Sequence, residues 1–420
     1  MYSIIQNCIT MFKIVMIAAV SSCFFISCST NPNNNGVSTS GSDTANQPVE
    51  TKPPNSDYKP ALPGQTRIKG IKTSATYEGK ILTKDLKHPW GITVLPDGRF
   101  LITEREGVMR IANTGGQLSE PITGIPAVNS DGQGGLLGVT LDPEFAKNRM
   151  VYWVFSEKMA DGNLTAVAKG SLSADEKRIE NPIVIYRATP AYNGTLHYGG
   201  RIVFDKTGDI FISTGERSDL QTRPQAQQLN SALGKVIHIT KEGQPAPGNP
   251  FIGQQGVRPE LYSYGHRNVQ GLALNPETGD LWEDEFGPRG GDELNLIQPG
   301  KNYGWSTITY GLEYSGEKVG AGITQQAGME QPVYYWDPVL SPSGLTFYTG
   351  DQIPEWKNNI FICGLSSNHI ARLVISNNKV VGEEMLLSSE GQRFRDITNG
   401  KDGALYAITD DGRLYRIGKK

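Results

Sequence analysis

From about residue 66 onward one pattern recurs. A turn carrying Asp, Asn or Gly leads into a strand of alternating bulky residues, and a polar loop follows. The copies occupy residues 96–104, 148–156, 205–215, 275–284, 356–364 and 401–410. An apolar strand precedes most of them, at residues 91–94, 137–141, 201–204, 271–274 and 344–347. The copies recur at intervals of roughly 45 to 80 residues, the length that a unit of about four strands fills. No long amphipathic helical stretch interrupts them. An all-β, six-bladed β-propeller with four-stranded antiparallel blades explains both the repetition and the lack of helix, since radial closure leaves few exposed strand edges. A pair of sandwiches does not predict regular repetition. The extra length between residues 287 and 342 is expected to form loops on one face, where such rings carry their sites.

The N-terminal stretch lacks this pattern. Lys13 precedes an apolar run over residues 14–26, too short for a membrane span. The run closes with Phe25, Ile26, Ser27 and Cys28, which is similar to a bacterial lipobox. Residues 1–28 are therefore expected to be a lipoprotein signal peptide, with Cys28 lipidated and the protein exported to the periplasmic side of a bacterial membrane. A plain secretory peptide cut near Ser27 is the alternative. Residues 29–65, rich in Asn, Ser and Pro, are expected to be a disordered tether, and residues 66–420 the propeller. Outside the signal only Cys363 remains, so no internal disulfide is possible; its apolar neighbours make it a buried small hydrophobe.

Composition narrows the class. A formal net charge of −3 over 420 residues points to neither nucleic acid nor an acidic surface as partner. The 49 glycines and 25 prolines suit many short strands and turns.

Candidate chemistry concentrates in residues 259–305. There a Gly265-His266-Arg267-Asn268 run is followed by Glu285, Gly287, Pro288 and the acidic pair Asp292-Glu293. Carboxylates mixed with bent backbone carbonyls suit a hard cation such as Ca²⁺; hydrated β-turns give the same residues a plainer explanation. Among the five histidines, His197 sits at the mouth of a strand beside Gly199 and Gly200, where backbone can approach a ligand and an imidazole can act as base. Gln133, in a glycine-rich loop without the strand–helix setting of a nucleotide site, could donate its amide to a carbonyl. Arg393 and Arg395 lie on one side of an extended segment, a geometry for carboxylates or for solvent alone.

Together these residues resemble the soluble pyrroloquinoline quinone (PQQ) dependent glucose/sorbosone dehydrogenase family, specifically its aldose sugar dehydrogenase branch. The resemblance runs through Gln133-Gly-Gly-Leu-Leu-Gly, His197-Tyr-Gly-Gly-Arg, Gly265-His-Arg-Asn-Val-Gln-Gly, Glu285-Phe-Gly-Pro, Asp292-Glu-Leu-Asn, Asn302-Tyr-Gly-Trp and Arg393-Phe-Arg-Asp. It implies a six-bladed propeller that oxidises an aldose to a lactone with hydride transfer to PQQ. It implies His197 as general base, with Arg267 offsetting charge on the reduced quinone. Gln133, Arg267, Asn268, Arg393 and Arg395 match residues that hold PQQ. Gly287 and Pro288 match carbonyl ligands of a Ca²⁺ at the quinone, and Glu293 and Tyr303 match positions around a second, structural Ca²⁺. The implied partners are an aldose sugar and an electron acceptor that the sequence leaves unnamed; the membrane is met only through the lipid anchor. Two departures stand out. Ser366 is neutral where the family often carries a lysine, and Leu196 stands where glucose-preferring members place an acid. A Ca²⁺-dependent propeller lactonase and a glycan- or protein-binding propeller that has lost PQQ are the rival readings; neither accounts for Gln133, Arg267, Arg393 and Arg395 together.

Overall fold

A computed structural model describes residues 47–420; the expected signal peptide and Cys28 lie outside the described residues. The strands form six small antiparallel sheets, and the order of pairing makes each sheet a blade. In every blade the innermost strand is the apolar one and the second carries the recurring pattern. These pairs are Pro89–Val94 with Phe100–Glu104, Leu136–Leu141 with Met150–Met159, and Ile202–Phe204 with Ile210–Ser213. The other three are Val269–Leu274 with Leu281–Glu285, Pro342–Phe347 with Ile360–Gly364, and Phe394–Asn399 with Leu405–Thr409. Each innermost strand packs on the next, and the sixth packs back on the first, so the ring closes. The six-bladed propeller is therefore the fold. One blade, built on Pro89–Val94, has three strands; the isolated bridges Met109↔Ile122 and Ala112↔Leu118 stand in place of its fourth.

The second strands are buried on both faces, not on one as simple alternation suggests. The reason is radial packing: a neighbouring blade covers each side. The hydrophobic core is accordingly divided among the seams between blades. Ile92, Phe100 and Ile102 of the first blade meet Tyr406, Ile408 and Leu414 of the last, and Trp282 and Leu294 meet Leu345, Ile360 and Ile362. Cys363 is free and fully buried in one such seam, as its apolar neighbours predict.

The ring is closed by an early strand, Tyr77–Thr83, which pairs antiparallel with Leu414–Lys419. Trp356 anchors this closure. It is 0% exposed, its Nε1 donates to Thr73 Oγ1 at 2.8 Å, and its ring meets Tyr77 edge-on at 5.2 Å. Trp356→Ala is expected to cost about 3–5 kcal/mol of stability, read as a lower urea midpoint at unchanged slope; an unchanged midpoint would refute this anchoring role.

Residues 47–65 correct the boundary expected of the tether. They are seated on the body: the Asn55 amide donates to Asp337 Oδ1 at 2.7 Å and Ser56 Oγ to Asp337 Oδ2 at 3.0 Å. Arg67 Nη2 adds a bond to the Asp337 carbonyl at 2.7 Å. Polar composition marked this stretch as unable to build its own core, but hydrogen bonds to a preformed surface do not need one.

The axis of the ring is blocked by Arg201. Its guanidinium pairs with Asp396 at 2.7 Å and lies 4.1 Å over the Trp90 ring. A fully bonded ion pair of this kind closes the floor of the space above it. No helix among the described residues is long and apolar enough to cross a membrane.

Candidate active site

Above Arg201 the loops leading into the innermost strands surround a cavity of about 260 Å³. Gln133, Arg393 and Arg395 line it with Arg105, Tyr198 and Gln270. Residues far apart in sequence thus converge on one space. Arg393 Nε and Arg395 Nε both bond Asp410, at 2.8 and 2.7 Å, which aligns the two guanidinium groups. Burial works against ionisation of Asp410, but Arg395 and Arg393 outweigh it and hold the carboxyl below its ordinary range. Arg105 brings a third cation, its Nε donating to the Gly134 carbonyl at 3.1 Å and so bracing the Gln133 loop. Neither Asp410 nor Arg105 was singled out from sequence, since each gains its meaning only from the blades that bring it here. Ser366 is exposed and its hydroxyl bonds to that of Ser341, so the cavity's positive charge comes from arginines.

His197 adjoins this cavity through Tyr198 and Gly199, which line it. Its backbone amide donates to Gln133 Oε1 at 2.9 Å, and its Nδ1 lies 2.7 Å from Glu216 Oε1. With a carboxylate at Nδ1 the proton sits there, leaving Nε2 as the basic atom. The side chain is 6% exposed. Burial first, and Arg267 second, push the imidazole pKa down to about 4, although Glu216 alone would raise it. The ring is therefore neutral at pH 7. Glu216, beyond the reach of any local pattern, is the partner that the sequence did not reveal. Gly199 and Gly200 hold positive φ of 65° and 111°, and a Cβ on Gly199 would lie 2.6 Å from the Ser213 carbonyl. The glycines are thus required by packing against the next strand as much as by approach to a ligand.

The Gly265-His266-Arg267-Asn268 turn is clamped by Glu285, which accepts the Arg267 and Asn268 amides and meets His266 Nδ1 at 3.1 Å. The clamp aims the side chains inward. Arg267 is 4% exposed and donates Nη1 to the Gly287 carbonyl at 2.7 Å, while its Nε has no partner. Asn268 Oδ1 accepts the Gly199 amide at 3.0 Å, and its Nδ2 is likewise buried and unpartnered. Arg267, Gly287, Glu293 and Tyr303 line a narrow adjoining cleft with Trp305. Pro288 packs beneath it against Gly311.

Behind this cleft lies a group of buried acids. Ligand atoms of His266, Glu283 and Glu285 fall within 4.8 Å of one another. Asn295 Nδ2 bridges Glu283 Oε1 at 2.7 Å and Glu293 Oε2 at 3.2 Å. Burial, then the Glu285 charge, raises both Glu283 and Glu293 well above the usual carboxylate range. Glu283 Oε2 and Asn295 Oδ1 have no partner. The Tyr303 hydroxyl reaches back to the preceding strand, donating to the Leu296 carbonyl at 2.6 Å, and its ring stacks on His266 at 4.8 Å. Asp292 ties the Gly287 turn to the next blade, accepting from the Gly287, Leu340 and Ser341 amides at 2.9, 2.8 and 2.7 Å.

Fold and site together define a class of six-bladed propellers in which a buried His–Glu pair adjoins an arginine-lined cavity. The chain belongs to the glucose/sorbosone dehydrogenase family, whose model matches residues 86–416. It is 42% identical over 348 residues to the aldose sugar dehydrogenase YliI of Escherichia coli, covering 82% of this chain and 93% of that protein. The crystal structure of the soluble aldose sugar dehydrogenase of E. coli in its apo form superposes with a TM-score of 0.78 at 41% identity, covering 82% of this chain and all of that one. The PQQ-bound aldose sugar dehydrogenase of Streptomyces coelicolor superposes at 0.68 with 29% identity, covering 83% and 99%.

Proposed function

We propose that the protein is a PQQ- and Ca²⁺-dependent dehydrogenase that oxidises the anomeric carbon of aldose sugars to lactones. The observation that carries this reading is the buried His197–Glu216 pair beside a cavity lined by Gln133, Arg393 and Arg395. The residues fit PQQ: three arginines face one internal carboxylate, and Arg267 Nε and Asn268 Nδ2 are donors without partners. When bound, PQQ supplies a quinone that accepts hydride and Ca²⁺ polarises it. The rest is done by the chain. His197 Nε2 takes the proton of the anomeric hydroxyl while Glu216 holds Nδ1–H and fixes the tautomer. Arg267 offsets negative charge as it develops. Gln133 Oε1 holds the His197 backbone in place. Purified protein given PQQ and Ca²⁺ should develop a quinone absorption that an aldose bleaches; no bleaching by any aldose would overturn the reading.

The acid group behind the cleft fits a Ca²⁺, because its unpartnered oxygens are hard donors and a dication relieves the repulsion among Glu283, Glu285 and Glu293. Tyr303 lies beside it. At the quinone the Gly287 and Pro288 carbonyls would serve, Gly287 sharing its oxygen between the ion and Arg267; a carbonyl has two lone pairs. Chelation is expected to lower the thermal midpoint by several degrees, since an ion at about 100 times its Kd adds about 2.7 kcal/mol. A midpoint indifferent to EDTA would argue against both ions.

The anchor proposal rests on the residues before Cys28. A diacylated N-terminus at Cys28 and membrane fractionation are expected, and a mature N-terminus free of lipid mass would exclude it.

A further inference from the structure

The N-terminal segment that composition marked as a tether is tied to the wall of the narrow cleft beside Arg267. That wall is built in layers. The inner layer is the turn at residues 287–291, whose Gly287 and Gly291 line the cleft with Ile308 and Thr309. Behind it stand the loop at residues 308–312 and the corner at Asp337 and Pro338. Residues 55–65 lie on both of these.

No free space separates the turn from what backs it. A Cβ on Gly290 would stand 2.6 Å from Asp337 Oδ1 and 3.1 Å from Asn55 Nδ2, and one on Gly291 would stand 2.7 Å from the Tyr310 carbonyl carbon. The Gly291 amide donates to the Trp336 carbonyl at 2.8 Å, and the Arg289 amide to the Leu312 carbonyl at 2.9 Å. Residues 286–291 belong to no strand or helix, so these outside contacts set the path of the turn. At such close packing a displacement of one layer is felt by the next.

The N-terminal segment grips the backing layer at both of its parts. Asp337 accepts the Asn55 amide on one carboxylate oxygen, and on the other the Ser56 amide at 3.1 Å and the Ser56 hydroxyl at 3.0 Å. Asn55 Nδ2 donates to the Pro338 carbonyl at 3.0 Å. On the loop, Ser56 Oγ lies 3.3 Å from the Tyr310 carbonyl, and the Ala61 amide donates to the Tyr310 hydroxyl at 3.1 Å. Asp337 and Tyr310 are both buried, so neither is free to follow a loose segment. Ordering a turn before its ligand arrives removes that entropy cost from binding.

We propose that residues 55–65 are a clasp that positions the turn at residues 287–291 for its metal ion, so that docking of the N-terminal segment and ion binding at the turn favour each other. Asn55, Ser56 and Asp337 are positioning residues, and none of them touches the ion. The proposal rests on the reading of the Gly287 and Pro288 carbonyls as Ca²⁺ ligands.

Two measurements on the full chain test it, because coupling between two sites is reciprocal. The first is hydrogen exchange at the Asn55 and Ser56 amides, with Ca²⁺ or with EDTA; Ca²⁺ should slow it. The second is Ca²⁺ affinity by calorimetry at saturating PQQ. Asn55→Ala/Ser56→Ala and Asp337→Ala are each expected to weaken Ca²⁺ binding by about 5-fold or more, the low end of the range for coupled sites. Combining them should add little, since the first pair acts largely through Asp337. Exchange indifferent to Ca²⁺, or a lower urea midpoint with unchanged Ca²⁺ affinity in both variants, would overturn the clasp and leave the Ca²⁺ reading standing. A wild type that binds no Ca²⁺ would overturn both. Coupled behaviour in a protein that oxidises no aldose would keep the clasp and reject the dehydrogenase reading.

Discussion

Replacing His197 with Ala is expected to lower kcat by roughly 10²–10⁴-fold, the share of general-base catalysis, while PQQ uptake by titration stays close to wild type. The split follows from geometry: the arginines and Gln133 that line the cavity come from other blades. Removing the imidazole also takes the partner from Glu216 Oε1, whose Oε2 is already unpartnered, so the Ala protein will lose stability too. His197→Gln separates the effects, because it keeps an N–H for Glu216 but has no basic nitrogen; it should show the same loss of kcat with a smaller loss of stability. The wild type should keep its acidic kcat/KM limb near pH 4, not 6.5, since burial and Arg267 depress the imidazole. The sign for stability agrees. Between about 6.5 and 4 the unfolded chain binds the proton that the folded one refuses, so this contribution is present above that window and is lost as pH falls through it. Near-wild-type turnover in either variant at saturating PQQ would return His197 to a structural role.

The Arg393→Ala/Arg395→Ala protein is expected to bind PQQ on the order of 10²–10⁴-fold more weakly, because each charge-assisted bond to a carboxylate is worth about 1.5–3 kcal/mol. Part of that loss will come from Asp410, left facing the cofactor's carboxylates without its two partners. A third change, Asp410→Asn, removes that repulsion and should restore some affinity. At saturating PQQ, kcat should recover to near wild type, since neither arginine touches the base. A double variant with unchanged affinity would leave the pair as a surface ion cluster only.

The fold was legible because the propeller repeats. Turn chemistry and apolar runs are local properties, and the copies at residues 96–104 through 401–410 mark the second strand of every blade. The family was legible because its motifs lie in short unbroken runs, such as Gly265-His266-Arg267-Asn268. What composition misjudged was residues 47–65: polar sequence shows that a segment cannot form a core, not that it has no surface to lie on.

The closing strand Tyr77–Thr83, the Glu216 partner of His197, and Arg105 and Asp410 in the cavity were decided by tertiary structure alone. Each depends on which residue stands opposite across blades, and nothing in a strand's own residues records its neighbour. The two-sided burial of the second strands has the same origin. By itself the sequence determined that six hairpins must be buried, and which residue types could do chemistry; the ring determined which of them meet, because only closure brings loops from separate blades to one axis.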